Sequence, residues 1–175
     1  MACCRCLYRS LYTTYPELVP VEVLDQLRLE YHANSARSMD LVEKLLKILD
    51  LFEQHGIDVI SFKGPVLAVA VYGDLALRVM GDLDLLVRKE DVPGANDLLC
   101  SQGFQPEYLL DGFERNTNLQ GPGACHFMGG KTNIDLHWQI APRIFTYDFD
   151  SDGYWSRLQP VSIGRKEIPV LSMGD

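Results

Sequence analysis

The chain of 175 residues lacks any apolar run that approaches the roughly 20 residues needed to cross a bilayer. Its first residues also lack the apolar stretch of a secretory signal. Internal repeats and low-complexity segments are absent as well. These absences predict a soluble, cytoplasmic protein with no membrane association, built as one domain or as one domain with a helical appendage.

Positive charge is also scarce. Sixteen basic residues against twenty-four acidic residues give a formal net charge of −8 at pH 7. A protein that holds nucleic acid independently of sequence needs an excess of positive charge, so no broad nucleic-acid-binding surface is expected. The apolar fraction of 47% is that of a globular protein, and the chain is long enough to bury a core.

A framework of paired cysteines is missing too. The chain has five cysteines, and an odd count without a secretion signal favours free thiols. Cys3 and Cys6 have the spacing of half a zinc site, but no second pair of Cys or His residues with ligand spacing completes it. We therefore expect a frayed N-terminus with incidental thiols, and isolated thiols at Cys100 and Cys125.

The first third of the chain is predicted to be helical. Large apolar residues recur at intervals of three and four from about Val21 to His55. Pro20 suits the start of a helix and Gly56 suits its end, while one helix and two helices broken near Asn34 both fit the pattern. We divide the chain into a helical N-terminal arm, residues 1–57, and a core, residues 58–175.

Strands and helices alternate in the predicted core. Short helices are expected from Pro65 to Tyr72 and from about Asp91 to Ser101, because a proline or acidic start and a closing glycine bracket each apolar segment. Runs rich in β-branched and aromatic residues, or with apolar alternation, predict strands. These strands cover 58–62, 82–87, 104–110, 125–128 and 132–138, with a hairpin that pairs 160–163 with 167–171.

An acidic pair begins one of these strands. Asp82 and Asp84 are two positions apart, so they project to one face, while Leu83, Leu85 and Val87 project to the other and can enter a core. The simpler interpretation is turn chemistry with a solvated Asp84. Adjacent carboxylates also suit a hard divalent cation such as Mg²⁺ or Mn²⁺, which would keep both of them ionised.

A third carboxylate lies on a later strand with the same alternation. Asp135 shares a face with His137, and pairing of its strand with the first acidic strand would bring Asp135 beside Asp82 and Asp84. Three acids on two strands supply enough oxygen ligands for one or two Mg²⁺ ions together with phosphate oxygens and water. The surrounding pattern therefore favours the metal interpretation.

A phosphate-binding turn is predicted upstream of the acids. Lys63 and Gly64 lie between a strand and a helix, where a glycine allows the backbone to approach a phosphate and the helix start offers free N–H groups. Lys63 can neutralise phosphate charge at this position.

The remaining polar and aromatic residues of the later strands receive less direct roles. His137 is expected to be hydrogen-bonded beside a metal-binding carboxylate, although it could also meet the acceptor. His126 stands alone on its predicted strand, which favours a structural role. Trp138 faces away from Asp135 and is expected to pack in the core.

These motifs, taken in order, resemble those of the polymerase-β-like nucleotidyltransferase superfamily. Phe62-Lys63-Gly64-Pro65, Arg78, Gly81-Asp82-Leu83-Asp84-Leu85-Leu86-Val87 and Asp135-Leu136-His137-Trp138 look like an uncharacterised bacterial nucleotidyltransferase family. The chain is more distantly similar to the nucleotidyltransferases of toxin–antitoxin pairs. The resemblance implies an α+β fold, with a mixed β-sheet flanked by helices and led by the helical N-terminal arm. Relatives usually continue into a C-terminal helical region that this chain is expected to lack.

The resemblance also implies a reaction and a set of residue roles. Asp82 and Asp84 would bind catalytic Mg²⁺ or Mn²⁺, and Asp135 would share a metal and help to activate the attacking group of the acceptor. A nucleoside monophosphate would pass from an NTP, such as ATP, to a small molecule, a protein or tRNA, with release of pyrophosphate. Lys63, Gly64 and Arg78 would contact the nucleotide, although a salt bridge that orders the acidic loop is an equal alternative for Arg78.

Two other classes of function fit parts of the sequence. A nucleotidyltransferase-like module that has lost its chemistry and only binds a partner would keep the fold. A glycosyltransferase would use an Asp-x-Asp pair with Mn²⁺ to hold a nucleotide sugar, but such a pair usually follows a larger nucleotide-binding half than this chain has before Asp82.

Overall fold

The computed structural model describes residues 4–14, 16–107, 123–130, 132–139 and 151–171. The fold is α+β, as predicted, with a mixed five-stranded sheet, a two-stranded sheet and flanking helices. The helices are α1 (Cys4–Thr14), α2 (Val21–Gln54), α3 (Gly64–Tyr72), α4 (Val92–Ser101) and α5 (Ser151–Ser156). The strands are β1 (Val59–Ser61), β2 (Asp82–Val87), β3 (Gln105–Pro106), β4 (Ala124–Gly129), β5 (Thr132–His137), β6 (Gln159–Ile163) and β7 (Lys166–Val170).

Helix α2 is one continuous helix of 34 residues. Pro20 precedes its first turn, and Gly56, with φ +69°, follows its end. The prediction of a frayed N-terminus is wrong from Cys4 onwards, because residues 4–14 form α1, which packs against α2. Tyr8 of α1 lies against Tyr31 of α2, with ring centroids 5.4 Å apart.

The five-stranded sheet has the order β1-β2-β5-β4-β3. Strands β2 and β5 are parallel, and the other neighbours are antiparallel. Parallel neighbours need a crossover connection, and α4 lies in the chain between these two strands. The two acidic segments of the sequence therefore occupy adjacent interior strands of the sheet.

One face of this sheet forms the core. Alternate residues of β2, β4 and β5 point to this face and meet the second half of α2 and helix α4. Burial of apolar side chains is the main force that holds these layers together. The cluster includes Leu45, Phe52, Leu83, Leu85, Leu99, Phe127, Ile134 and Leu136, all 0% exposed. Trp138 joins this cluster, as predicted.

The second sheet is the predicted terminal hairpin. Strands β6 and β7 pair antiparallel across Gly164, which has a φ of +65° that favours glycine. Lys166 donates hydrogen bonds to Asp50 and Glu53 of α2, which ties the hairpin to the helix. Ile163 and Ile168 are buried against the same core as the sheet.

Several further predictions can be compared with the structure. The predicted strand 104–110 is a strand only at Gln105–Pro106, and its residues 108–110 lie outside the described residues. Cys100 is an exposed free thiol and Cys125 a buried one. Within the described ranges, no helix is both long and apolar enough to cross a membrane. The division of the chain after residue 57 stays a prediction.

Candidate active site

The parallel pairing of β2 with β5 brings two acidic residues side by side. Asp84 lies directly opposite Asp135 in the register, and paired residues of neighbouring strands project to the same face of the sheet. This face is opposite to the one that carries Leu83, Leu85 and Leu136. We call it the acidic face and define it by Asp82 and Asp84 of β2 and by Asp135 and His137 of β5.

Asp84 is the most enclosed residue of the acidic face, with 5% of its surface exposed. Its Oδ1 accepts a hydrogen bond from Lys63 Nζ at 3.0 Å and lies 3.3 Å from His137 Nε2. Burial alone would raise the pKa of Asp84, but the hydrogen bonds from His137 and Lys63 and the positive charge of Lys63 outweigh it and hold this pKa below its usual value. The carboxylate is therefore kept ionised.

Three side chains of this face have the geometry of a metal site. Asp84, Asp135 and His137 each offer one ligand atom, and these atoms lie within 4.8 Å of one another. Two carboxylates and an imidazole suit a divalent cation, since oxygen ligands attract Mg²⁺ and Mn²⁺ and imidazole is accepted by transition ions. Asp82, exposed at the first position of β2, lies outside this cluster.

His126 contacts Asp135 of the acidic face, a contact that was not predicted from the sequence. The antiparallel register of β4 and β5 sets His126 opposite Asp135, and His126 Nδ1 lies 2.5 Å from Asp135 Oδ1. A signal was present in the sequence, because Gly129-Gly130 indicates a tight turn between the two strands. In the structure Gly129 pairs with Thr132, and this register places position 126 opposite position 135.

The turn between β1 and α3 lies against the same carboxylates. Lys63 is the extended residue before α3, and its Nζ lies 5.1 Å from the centroid of the Phe62 ring. Gly64 has a φ of +60°, and a Cβ added there would lie 3.4 Å from the carbonyl oxygen of Asp82. The Phe62 ring meets His137 edge-on, with centroids 5.0 Å apart. Close packing therefore fixes this turn beside the start of β2.

Arg78 lies in the segment that leads to β2. It is half-buried and directly follows the 3-10 helix Leu75–Leu77. Its carbonyl oxygen accepts a hydrogen bond from Asn34 Nδ2 at 2.9 Å. The alternative that Arg78 orders the acidic loop through a salt bridge finds no support, since its side chain forms no ion pair within the described part of the chain.

The structure thus brings together part of the predicted site. Lys63, Asp84, Asp135 and His137 are linked to one another, directly or within the metal-ligand cluster. His137 hydrogen-bonds Asp84, whereas His126 contacts Asp135. Whether Asp82 and Arg78 bind metal and nucleotide stays a prediction.

Two solved structures share this fold. One is the lincosamide antibiotic adenylyltransferase LnuA in its lincomycin-bound form, with a TM-score of 0.54, 19% identity, and coverage of 74% of this chain and 79% of that chain. The other is TM1012 from Thermotoga maritima, assigned as a nucleotidyltransferase, with a TM-score of 0.53, 13% identity, and coverage of 77% of this chain and 79% of that chain. The fold is therefore of the nucleotidyltransferase type.

The particular family follows from the sequence. The chain belongs to the family described as "Uncharacterised nucleotidyltransferase", which matches residues 4–175. No curated protein matches the chain. The family and the fold together identify the protein as a nucleotidyltransferase, as the sequence analysis predicted, and they weigh against the glycosyltransferase alternative.

Proposed function

We propose that this nucleotidyltransferase transfers a nucleoside monophosphate from an NTP to an acceptor hydroxyl or phosphate, releases pyrophosphate, and depends on Mg²⁺ or Mn²⁺. The observation that carries this proposal is the pairing of Asp84 with Asp135 across two parallel strands, with Lys63 Nζ 3.0 Å from Asp84. Carboxylates for a cation and an ammonium group for phosphate then meet on one face of the sheet.

We assign the metal to Asp84, Asp135 and His137, with Asp82 as a further carboxylate at the start of β2. The donor set fits, because two anionic oxygens balance the charge of a divalent ion and the three ligand atoms are already close. A bound divalent cation would supply charge stabilisation to the attacking and leaving oxygens of phosphoryl transfer. The low pKa of Asp84 keeps this ligand available at neutral pH.

We assign nucleotide contacts to the turn that holds Lys63 and Gly64, and to Arg78. The side chain of Lys63 is 49% exposed, so its ammonium group can turn from Asp84 to a phosphate without a large change in burial. Gly64 lies at the first position of α3, where backbone N–H groups without helical partners favour an anion. These groups bind and orient the triphosphate, which is the main task of a protein in such a reaction.

We assign to Asp135 a role in activating the acceptor. Its Oδ1 already contacts His126, and its surroundings are more open than those of Asp84, with 28% of the side chain exposed. The contact with His126 fixes the orientation of the carboxylate. An oxygen of Asp135 can then accept the proton of the attacking hydroxyl, which is general base catalysis.

We place the acceptor among small molecules or proteins. The net charge of −8 disfavours a polyanionic acceptor such as tRNA, because the two would repel each other at long range. LnuA, which shares the fold, acts on a lincosamide antibiotic, which is a small-molecule acceptor.

The test is calorimetric titration of the purified chain with each NTP, in Mg²⁺ and then in EDTA. The test variant carries Asp84→Asn with Asp135→Asn, and the matched control is Asp97→Asn, an exposed acid of α4. We expect binding that requires Mg²⁺, is kept in the control, and is lost in the double variant. A folded chain that binds no NTP would contradict the proposal and favour a module without chemistry. Binding that is equal in the double variant would contradict the site.

A further inference from the structure

A polar stripe on α2 holds the segment that leads to Arg78. Tyr31, Asn34 and Ser38 are spaced by three and four residues, so they share one face of the helix. Tyr31 donates its hydroxyl to Asp74 Oδ2 at 2.8 Å, and Ser38 donates its hydroxyl to the carbonyl of Leu75 at 3.2 Å. The sequence analysis treated this region only as a possible break between two helices.

Asn34 is the central contact of this stripe. Its side-chain Nδ2 donates to the carbonyl oxygens of Ala76 and Arg78, at 2.9 Å each. A primary amide has two N–H donors, so both are used. Asn34 is 2% exposed, so water cannot readily take its place, and loss of the amide would leave the carbonyls without their buried donor.

The two carbonyl oxygens need hydrogen-bond donors from outside their own segment. They belong to Ala76, the middle residue of the 3-10 helix Leu75–Leu77, and to Arg78, the residue after this helix, which is too short to supply its last carbonyl groups with helical partners. Between Arg78 and Asp82 the chain passes through Gly81, where an added Cβ would meet nothing within 4 Å. The hydrogen bonds of Asn34 therefore set the backbone direction from which the side chain of Arg78 projects.

We infer that Asn34 is a positioning residue for nucleotide binding, which acts by holding the backbone of Arg78. This inference rests on the proposed function, because it assumes that Arg78 contacts the nucleotide. The two halves of α2 then have different roles. The first half positions Arg78 for nucleotide binding, and the second half packs in the core.

The test is a double-mutant cycle read by calorimetric titration with Mg²⁺ and the NTP that binds the wild-type chain. The variants are Asn34→Ala, Arg78→Ala and the two combined. The control is Ser38→Ala, which removes a buried hydroxyl from the same stripe without touching Arg78. Thermal unfolding of every variant separates a loss of stability from a loss of affinity. If Asn34→Ala does not fold, Asn34→Ser takes its place, because a single hydroxyl can serve at most one of the two carbonyls.

We expect Asn34→Ala to weaken NTP binding by up to about ten-fold, because the free energy of the lost hydrogen bond limits how much the positioning of Arg78 can contribute to affinity. The same change should have little effect when Arg78 is already alanine, and Ser38→Ala should bind as the wild type does. Equal affinity of Asn34→Ala and Ser38→Ala, or an undiminished effect in the Arg78→Ala background, would overturn the inference alone. A folded wild-type chain that binds no NTP would overturn the proposed function, and this inference with it.

Discussion

The two faces of the five-stranded sheet have opposite characters although the same strands build both. On the core face, Leu83 and Leu85 of β2 and Ile134 and Leu136 of β5 are 0% exposed and packed. On the acidic face, the alternate residues of these strands are three carboxylates, His137, Asn133 and one apolar residue, Leu86. The carboxylates range from the buried Asp84 to the exposed Asp82. Adjacent positions thus belong in turn to the core and to the candidate site, because side chains of a strand alternate between its faces. Substitutions should separate stability from ligand binding in the same way.

The largest effect on stability is expected on the core face. Leu136→Ala should lower the free energy of unfolding by about 2–5 kcal/mol, because it removes a fully buried side chain and leaves a cavity. Chemical denaturation measures this change. Affinity for Mg²⁺ and NTP, titrated well below the unfolding temperature, should stay near the wild-type value. A folded Leu136→Ala chain that had lost nucleotide binding would break the separation of the faces.

His137, the next residue along β5, should affect metal binding more than stability. His137→Gln should lower the affinity for Mn²⁺ by about 10–100-fold, the loss that is typical when a hydrogen-bond partner of a metal ligand is replaced. Its effect on unfolding should be small, because His137 projects to the acidic face. Titration of Mn²⁺ followed by electron paramagnetic resonance measures the affinity, with His32→Gln as an exposed control. An unchanged affinity would remove His137 from the ligand set.

A smaller effect on stability is expected at Gly64, where the turn before α3 packs against the start of β2. Gly64→Ala should cost about 1–2 kcal/mol of stability, because a φ of +60° is strained for a residue with a Cβ. The new Cβ would lie in ordinary contact with the Asp82 carbonyl, at 3.4 Å, so a fall in NTP affinity is expected from the strained backbone of the turn and not from a clash. Gly81→Ala is the control, since it has open space and no positive φ. Equal unfolding curves for the two variants would contradict this expectation.

The smallest effect on stability is expected at Lys166 of the hairpin, which lies on neither face of the five-stranded sheet. Lys166→Gln breaks the contacts of the hairpin with Asp50 and Glu53 and should cost about 0.2–1 kcal/mol, as exposed ion pairs do. Burial would lower the pKa of Lys166, but its two hydrogen bonds outweigh this and raise it. The contribution is therefore present at neutral pH and lost only as pH rises through the raised pKa. Denaturation at pH 7 and at high salt measures it, and a change in NTP affinity would be unexpected.

Local patterns predicted most of the elements. The 3.6-residue period predicted α2, and Pro65 and Gly73 marked the ends of α3. Apolar alternation predicted β2 with its acidic face, and β5 with Trp138 turned into the core. Such signals depend on residues within a few positions of one another, so one sequence carries them.

Contacts between distant segments were harder to predict. The helical period of α2 gave no sign that Asn34 would be buried, because its partners, the carbonyls of Ala76 and Arg78, lie more than 40 residues away. The contact of His126 with Asp135 was not predicted, because it depends on the register of a hairpin. The structural role of a polar side chain can be assigned only when its hydrogen-bond partner is known.

The sequence by itself determined which residues share a face of each strand, and hence that Asp82 with Asp84, and Asp135 with His137, would project together. The reason is covalent geometry, since the alternation of side chains in an extended chain needs no partner strand. The tertiary structure alone decided that β5 lies parallel beside β2 with Asp84 opposite Asp135, and that α2 supports Arg78. Those outcomes depend on which distant segments bury surface together, and this is a property of the whole packed chain.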